Sequence, residues 1–409
     1  MPQIDTDIII IGAGIAGLWL HHRLNDLGYH AILIEKNTIG AGQTLSSQGI
    51  IHGGAKYTLN GVLSNAASSI ADMPQRWLDC LEGKGEIDLS HTKLLSSNQL
   101  MWSTQSLSSK LTSFFSSKAL HGKIKPLQKS QHPSFFCQDA FKGNLYQLHE
   151  PIIDVPSLLD NLTMKWRHRM LHIEEDYTFS HGAGNNTKKP TQALIVKDKL
   201  CINAKEFILT SGEGNEQLFE SLSITTPKMQ RRPLQMVLAK GLALPELYAH
   251  CIGASTKPIA TISTHPHSDG DKVWYIGGNI AEEGVGMNPD QLIKHTIKTL
   301  TKILPWVDLE NIQWATHTVN RAEPAQNNLL RPDTAFLESV NNIHIGWPTK
   351  LALTPNLSDQ LIQRLKKKAT PLSTALTQKD TDWQLQQLSS HYSVKLSPNL
   401  WERSFNATH

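Results

Sequence analysis

The chain has 409 residues, which is enough for two domains with substantial cores. Its 39 basic and 36 acidic residues give a net charge of +3, which disfavours a nucleic-acid partner and gives no reason to expect a charged membrane surface as partner. The 4 cysteines form no CxxC pair, so we predict no metal site, no redox dithiol and a cytoplasmic location. No stretch approaches the roughly 20 apolar residues that cross a bilayer, although peripheral membrane association stays compatible with this composition.

The N-terminal region predicts a strand, a glycine turn and a helix in succession. The continuous apolar run at residues 8–11 is typical of a parallel strand that is buried on both faces. The next six residues, Gly-Ala-Gly-Ile-Ala-Gly at 12–17, have the GxGxxG spacing of a dinucleotide-binding turn. A glycine-rich turn in an unrelated α/β protein is the alternative, and the strand before the motif argues against it.

Each residue of this motif has a predicted physical role. Gly12 makes the tight turn, Gly14 lets the backbone approach a pyrophosphate, and Gly17 lets the helix pack close to the sheet. Ile15 and Ala16 begin the helix, whose N-terminus presents N–H groups and a positive dipole to phosphates.

The second predicted strand ends in an acid. Glu35 lies 18 residues after Gly17, a spacing suited to a hydrogen bond with a ribose hydroxyl, and Lys36 follows it. An acid at this position disfavours a ribose 2′-phosphate and therefore NADP.

Residues 40–57 are small, polar and rich in glycine, so backbone N–H groups can reach a flat cofactor. We predict cofactor contacts in this segment from Gln43, Thr44, Ser47, Gln48, Gly49 and Ile50. The segment, with Gln43-Thr44, Ser47, Gly49, Ile51-His52, Gly54 and Tyr57, resembles the D-amino-acid-oxidase-like superfamily of flavoproteins. Its pattern is most similar to the L-2-hydroxyglutarate oxidase and glycerol-3-phosphate dehydrogenase branches.

This resemblance implies an FAD-dependent oxidoreductase with an α/β fold. A Rossmann-like FAD-binding domain of the glutathione-reductase type would carry an inserted substrate domain with a mixed or antiparallel sheet. The expected FAD-binding domain comprises residues 1–85, 152–222 and 325–409. The substrate domain would comprise residues 86–151 and 223–324.

Two later segments match further cofactor elements of the family. A strand runs into Ser211 and Gly212, where relatives carry a turn over the FAD diphosphate. Another strand enters a turn at Gly346, followed by Thr349, Lys350 and Leu351, where relatives point a helix N-terminus at the flavin pyrimidine. Pro348 removes one N–H donor from that turn, so the flavin contact must differ in detail.

Residues 259–264 and 273–276 predict an antiparallel hairpin with one face lining the substrate pocket. His265, at the end of the first strand, is a candidate pocket residue. A single histidine is more often structural, and this alternative stays open.

The resemblance implies hydride transfer from a small 2-hydroxyacid or related acid to N5 of the flavin, with oxygen or a quinone as electron acceptor. Lys56, Arg321 and Lys350 are the candidate cations for the acid group. Lys56 takes the place of an arginine in glycerol-3-phosphate dehydrogenases, and a salt bridge with Glu323 or another acid is the alternative role of Arg321. His52 is the candidate base, and some relatives attach FAD through a histidine of this segment.

Two other functions stay open. The first is an amine or amino-acid oxidase, which breaks C–H beside C–N rather than C–O. The second is a flavoprotein linked to tRNA modification, which the near-neutral charge disfavours.

Overall fold

The computed structural model describes residues 2–54, 70–104, 124–181, 190–253, 257–326, 334–370, 372–388 and 391–406. The strands within these residues are β1 (Gln3–Ile11), β2 (Ala31–Glu35), β3 (Leu94–Ser96), β4 (Gln99–Ser103), β5 (Ile124–Leu127), β6 (Leu145–Leu148), β7 (Ile152–Ile153), β8 (Met170–His172), β9 (Tyr177–His181), β10 (Thr191–Val196), β11 (Leu200–Leu209), β12 (Met229–Gly241), β13 (Ala249–Ile252), β14 (Pro258–Pro266), β15 (Lys272–Gly277), β16 (Gln313–Pro324), β17 (Phe336–Val340) and β18 (Ile343–Trp347). The α-helices are α1 (Ile15–Asp26), α2 (Met73–Leu81), α3 (Val155–Met164), α4 (Asn215–Ser221), α5 (Asn279–Glu283), α6 (Pro289–Ile303), α7 (Thr354–Lys368), α8 (Ala375–Leu388) and α9 (Leu400–Phe405).

The first large sheet has β1 at its centre. Its strand order is β17-β18-β11-β1-β2-β8, and β10 and β9 extend it beside β11. β1 pairs in parallel with both β11 and β2, and the β2–β8 and β11–β18 pairs are also parallel. This parallel core is the arrangement that βαβ connections produce.

The apolar run in β1 explains why this sheet is covered on both faces. Ile8 and Ile10 belong to one core cluster, with side chains of α1 and α7, whereas Ile9 and Ile11 belong to another, with side chains of α4. Because successive strand residues point to opposite faces, a continuous isoleucine run requires helices on both sides.

The second large sheet is mixed and mostly antiparallel, with the order β16-β12-β15-β14-β13-β4-β6-β5. The predicted hairpin is present as the antiparallel pair β14–β15, whereas β13 and β4 are parallel. Leu292, Leu300 and Ile303 of the amphipathic helix α6 join the core on one face of this sheet. The fold is therefore the predicted α/β class, with a Rossmann-like sheet and a mixed sheet.

Within the described part of the chain, every helix is too short or too polar to cross a bilayer.

Candidate active site

A cavity of about 550 Å³ lies where the parallel strands β1 and β2 end, against β12 and β16 of the mixed sheet. Ligands of open α/β sheets bind at such carboxyl ends. The predicted cofactor residues that line the cavity are Gly12, Gly14, Ile15, Ala16, Glu35, Lys36, Gln43, Thr44, Ser47, Gln48, Gly49, Ile50, Ser211, Gly212, Gly346, Thr349, Lys350 and Leu351. Segments that are distant in sequence thus converge on one cavity.

The glycine turn is packed too tightly for side chains. Gly12 has a φ of +105°, and a Cβ on it would lie 2.6 Å from Cα of Ser211. A Cβ on Gly17 would lie 1.9 Å from the carbonyl oxygen of Gly12, although Gly17 itself does not line the cavity. The turn therefore leaves a backbone cradle at the N-terminus of α1, which suits a diphosphate.

Glu35 lies at the rim of this cradle. Its Oε2 accepts a hydrogen bond of 2.6 Å from the Ala13 N–H, and its Oε1 accepts one of 2.8 Å from the Asn37 N–H. Two backbone donors thus fix the carboxylate in the place expected for a ribose contact.

The segment after β2 is attached to helix α1 and to the mixed sheet. The Oγ1 of Thr44 accepts a hydrogen bond of 2.9 Å from the Ile15 N–H, at the start of α1. The Oε1 of Gln43 accepts one of 3.1 Å from the Ala322 N–H, in β16. These contacts hold Gln43 and Thr44 at the wall of the cavity.

Gln48 and Gly49 continue this attachment. The Nε2 of Gln48 donates to the carbonyl oxygens of Thr261 and Tyr275, at 3.0 and 2.8 Å. Gly49 has a φ of +71°, and a Cβ on it would lie 2.1 Å from the Ile153 carbonyl oxygen. The segment therefore cannot shift without disturbing the mixed sheet.

The other two predicted cofactor elements are held by hydroxyl groups. The Oγ of Ser211 donates to the Ile11 carbonyl oxygen at 3.0 Å, which joins the end of β11 to the end of β1. Thr349 adopts a φ of +61°, unusual for a β-branched residue, and its Oγ1 donates to the Thr334 carbonyl oxygen at 3.0 Å. The strained turn at Thr349 places Lys350 and Leu351 on the cavity wall.

His52 lines the cavity and forms a dyad with a buried acid. Its Nδ1 lies 3.0 Å from Oε2 of Glu150, a residue that is only 2% exposed. The Oε1 of Glu150 accepts a second hydrogen bond of 2.8 Å, from the Gly53 N–H. The ring of His250 stacks beside His52, with the centroids 5.9 Å apart. The carboxylate therefore orients the imidazole and favours the tautomer with its proton on Nδ1.

Two of the predicted cations also line the cavity, namely Arg321 and Lys350. The Nη2 of Arg321 lies 3.9 Å from Oε1 of Glu282, whereas Glu323 pairs with Arg232. The alternative role of Arg321, a salt bridge with an acid, is thus present with Glu282 and not with Glu323. Lys350 is 7% exposed, so its ammonium group lies in a largely enclosed part of the site.

His265 does not line the cavity, contrary to its prediction as a pocket residue. Its ring is fully buried, lies 2.9 Å from the Ser263 hydroxyl through Nε2, and stacks on Trp401 with centroids 3.8 Å apart. Burial lowers the pKa of His265 to about 3, so the ring is neutral and structural. Lys56, the remaining candidate, falls outside the described residues.

Sequence reasoning missed part of the cavity wall and the partners of His52. The apolar lining of the mixed sheet comes from Leu234 and Met236 of β12 and Val319 of β16, and not from the β14–β15 hairpin. Gln235 between Leu234 and Met236 was a weak local signal for this face. No local signal pointed to Glu150, because it is 98 residues from His52.

The family model for FAD-dependent oxidoreductases of the DAO type matches residues 7–299. The chain belongs to this family, and it is an oxidoreductase that uses FAD.

Among its relatives is a probable FAD-dependent oxidoreductase of Pseudomonas aeruginosa, 46% identical over 368 residues that cover 90% of this chain and 92% of the relative. A crystal structure of an FAD-dependent oxidoreductase from Pseudomonas aeruginosa covers 99% of this chain and 100% of its own, with 38% identity and a TM-score of 0.82. Glycine oxidase from Geobacillus kaustophilus shares the fold at 14% identity, with a TM-score of 0.64 and coverage of 91% of this chain and 96% of that one.

Proposed function

We propose that this enzyme oxidises a small 2-hydroxyacid or a related acid. The observation that carries the proposal is the joint placement of an oriented histidine, His52, and two cations, Arg321 and Lys350, on the wall of one cavity. When bound, FAD supplies the acceptor for the substrate hydride at its N5 atom, and oxygen or a quinone would take the electrons onward.

In this proposal, the predicted cofactor residues together bind FAD. The α1 N-terminus and the turn at Ser211 and Gly212 would hold the diphosphate, and Glu35 would hold the ribose. The segment from Gln43 to Ile50, together with Thr349 and Leu351, would lie along the flavin. The glycine cradle and the fixed Glu35 carboxylate support this assignment.

His52 would act as the base in this reaction. Its Nδ1 faces the Glu150 carboxylate, so Nε2 would accept the proton of the substrate hydroxyl as the hydride leaves the adjacent carbon. Arg321 and Lys350 would bind the carboxylate of the substrate and orient that carbon.

The predicted domain division is part of the same proposal. Strands of the parallel sheet come from residues 3–11, 31–35, 170–172, 200–209 and 343–347, which lie in the proposed FAD-binding domain. The mixed sheet draws on residues 99–148 and 229–324, which lie in the proposed substrate domain.

Anaerobic mixing of the FAD-loaded enzyme with a substrate panel tests the reaction class. We expect small 2-hydroxyacids to bleach the flavin absorbance and amino acids to leave it unchanged. Bleaching by amino acids alone would favour the amine-oxidase alternative, in which Arg321 would hold the amino-acid carboxylate in the same way.

The role of His52 has its own test. We expect His52→Gln to slow flavin reduction by about 100-fold in single-turnover mixing, the usual scale of lost general base catalysis, with the FAD content unchanged. The matched control is His295→Gln, on α6 and away from the cavity, which should react at the wild-type rate. Flavin reduction at the wild-type rate in His52→Gln would exclude His52 as the base.

A further inference from the structure

We propose that His52, Glu150 and His250 form a binding site for a divalent transition-metal ion of the zinc class. Their potential ligand atoms all lie within 4.8 Å of one another, and no other group of this kind occurs among the described residues. The three side chains come from the segment after β2, the loop between β6 and β7, and strand β13. The sequence predicted no metal site, because these ligands are about 100 residues apart.

The spacing within the cluster suits a metal ion. At metal–ligand distances of about 2.1 Å, neighbouring tetrahedral ligands lie roughly 3.4 Å apart. Nδ1 of His52 and Oε2 of Glu150 are 3.0 Å apart, which is close to that spacing. Bringing the widest pair from at most 4.8 Å to this spacing needs a movement of at most about 1.4 Å, within the reach of side-chain rotation.

Outer contacts already orient two of the ligands. The Nδ1 of His250 lies 2.7 Å from the Thr261 hydroxyl, which assigns coordination to Nε2. The Gly53 N–H donates to Oε1 of Glu150 at 2.8 Å, which assigns coordination to Oε2. Hydrogen bonds of this kind fix the tautomer and the direction of metal-binding histidines and carboxylates.

The donor set selects the class of metal. Two imidazoles and one carboxylate are a ligand set of zinc sites that keep a fourth position open. Magnesium and calcium prefer all-oxygen ligands and would bind poorly here. Burial favours the site further, because Glu150 is 2% exposed and His250 is fully buried, so a bound cation would be weakly screened.

Metal binding would prevent His52 from acting as the base. This consequence rests on the proposed function. With Nδ1 of His52 bound to the metal, its single remaining proton resides on Nε2, which can no longer accept one from the substrate. Zinc bound to His52 and Glu150 would therefore inhibit turnover.

The test is equilibrium dialysis of the FAD-loaded, metal-stripped enzyme against zinc chloride, with bound zinc measured by elemental analysis. We expect one zinc per chain, and an affinity at least about 10-fold lower in both Glu150→Gln and His250→Gln. The flavin absorbance of each variant reports that it is folded. His295→Gln is the matched control and should bind zinc like the wild type. If His250→Gln fails to fold because His250 is buried, Glu150→Gln still tests the site.

Equal zinc affinity in the wild type and in both folded variants, or no bound zinc at millimolar concentration, would overturn the site. Inhibition of flavin reduction is measured in parallel. Zinc that binds with the predicted variant dependence but leaves the reduction rate unchanged would support the site and contradict the base role of His52. Failure of the metal site and failure of the proposed function are thus distinguished.

Discussion

At the scale of single residues, surroundings decide what each histidine can do. His52 faces a buried carboxylate at the cavity wall, whereas His265 is enclosed against Trp401. His317 lies 2.8 Å from the Ser46 hydroxyl, and burial together with the nearby Arg403 lowers its pKa to about 4. The same side chain is thus a candidate base in one place and a neutral packing element in the others.

Glu150 is a positioning residue in the proposed reaction, and Glu150→Gln tests that role. The variant keeps the shape of the side chain but loses the charge that stabilises an imidazolium at His52. We expect kcat to fall about 10- to 100-fold with little change in KM, because the lost interaction strengthens only as His52 takes up the proton. Steady-state kinetics, with the substrate identified by flavin bleaching, measure kcat and KM separately.

Two further variants complete that experiment. Glu150→Asp keeps the charge and should recover part of the rate. Glu402→Gln, which removes the carboxylate that accepts from the Ser268 N–H at 2.8 Å, is the control and should keep the wild-type kcat. If both Glu150 variants lost kcat and thermal stability in parallel while Glu402→Gln kept both, Glu150 would instead have a structural role.

At the scale of elements, the cofactor cradle depends on how closely α1 approaches the end of β1. The approach is possible because position 17 has no side chain, and the Thr210 hydroxyl occupies the adjoining space, at 3.1 Å from the carbonyl oxygens of Ile11 and Gly12. The same close packing joins β11 to the turn.

Gly17→Ala should therefore separate α1 from the turn. The new methyl group would lie 1.9 Å from a backbone oxygen, which cannot move away cheaply. We expect a loss of about 3 kcal/mol in the free energy of unfolding and a fall in the FAD content of the purified protein. Thermal unfolding and flavin absorbance measure the two effects.

Gly42→Ala is the control for packing, because a Cβ at Gly42 meets no atom within 4 Å. Its unfolding temperature should stay close to that of the wild type. If Gly17→Ala were as stable as Gly42→Ala, the close approach of helix and turn would not limit this fold.

At the scale of the whole molecule, the C-terminal helix α9 closes one side of the mixed sheet. Trp401 is buried and stacks on His265 of β14, and it also meets the ring of Tyr275 in β15 at 5.2 Å. The hydroxyl of Tyr275 donates to the Ser46 carbonyl oxygen at 2.9 Å. Helix α9, the mixed sheet and the segment after β2 are thus connected through one buried cluster.

This cluster should make stability depend on pH. The pKa of His265 is lowered from 6.5 to about 3 by burial, so between these values the unfolded chain binds a proton that the folded protein does not. Unfolding is therefore favoured as the pH falls below about 6.5, by about 1.4 kcal/mol per pH unit for this residue. From pH 6.5 to pH 5 we expect His265 to remove about 2 kcal/mol from the free energy of unfolding.

Denaturant unfolding of His265→Gln and of the wild type at both pH values measures this contribution. The variant should lose about 2 kcal/mol less than the wild type over the interval. The control is His295→Gln, a half-exposed residue, which should keep the wild-type difference. Parallel pH profiles for His265→Gln and the wild type would contradict the assignment. His21 and His317, whose pKa values burial lowers to about 3 and about 4, should add pH dependence of the same sign in both proteins.

The β1–α1–β2 unit was largely predictable from the sequence, because the information that specifies it is local. The isoleucine run, the glycine spacing and Glu35 follow one another within 35 residues, and the turn geometry they require admits few alternatives. The resemblance to a flavoprotein family extended this prediction to the turns at Ser211 and Gly346. His265 was misplaced because a strand residue next to a turn can face either side, and packing against Trp401 decides which.

The sequence by itself determined that a βαβ unit with a dinucleotide turn opens this chain, because neighbours along the chain set backbone conformation directly. Only the tertiary structure decided that His52 meets Glu150 and His250, and that β12 and β16 close the cavity. Those contacts join residues about 100 or more positions apart, and their geometry depends on how two sheets pack rather than on any local pattern.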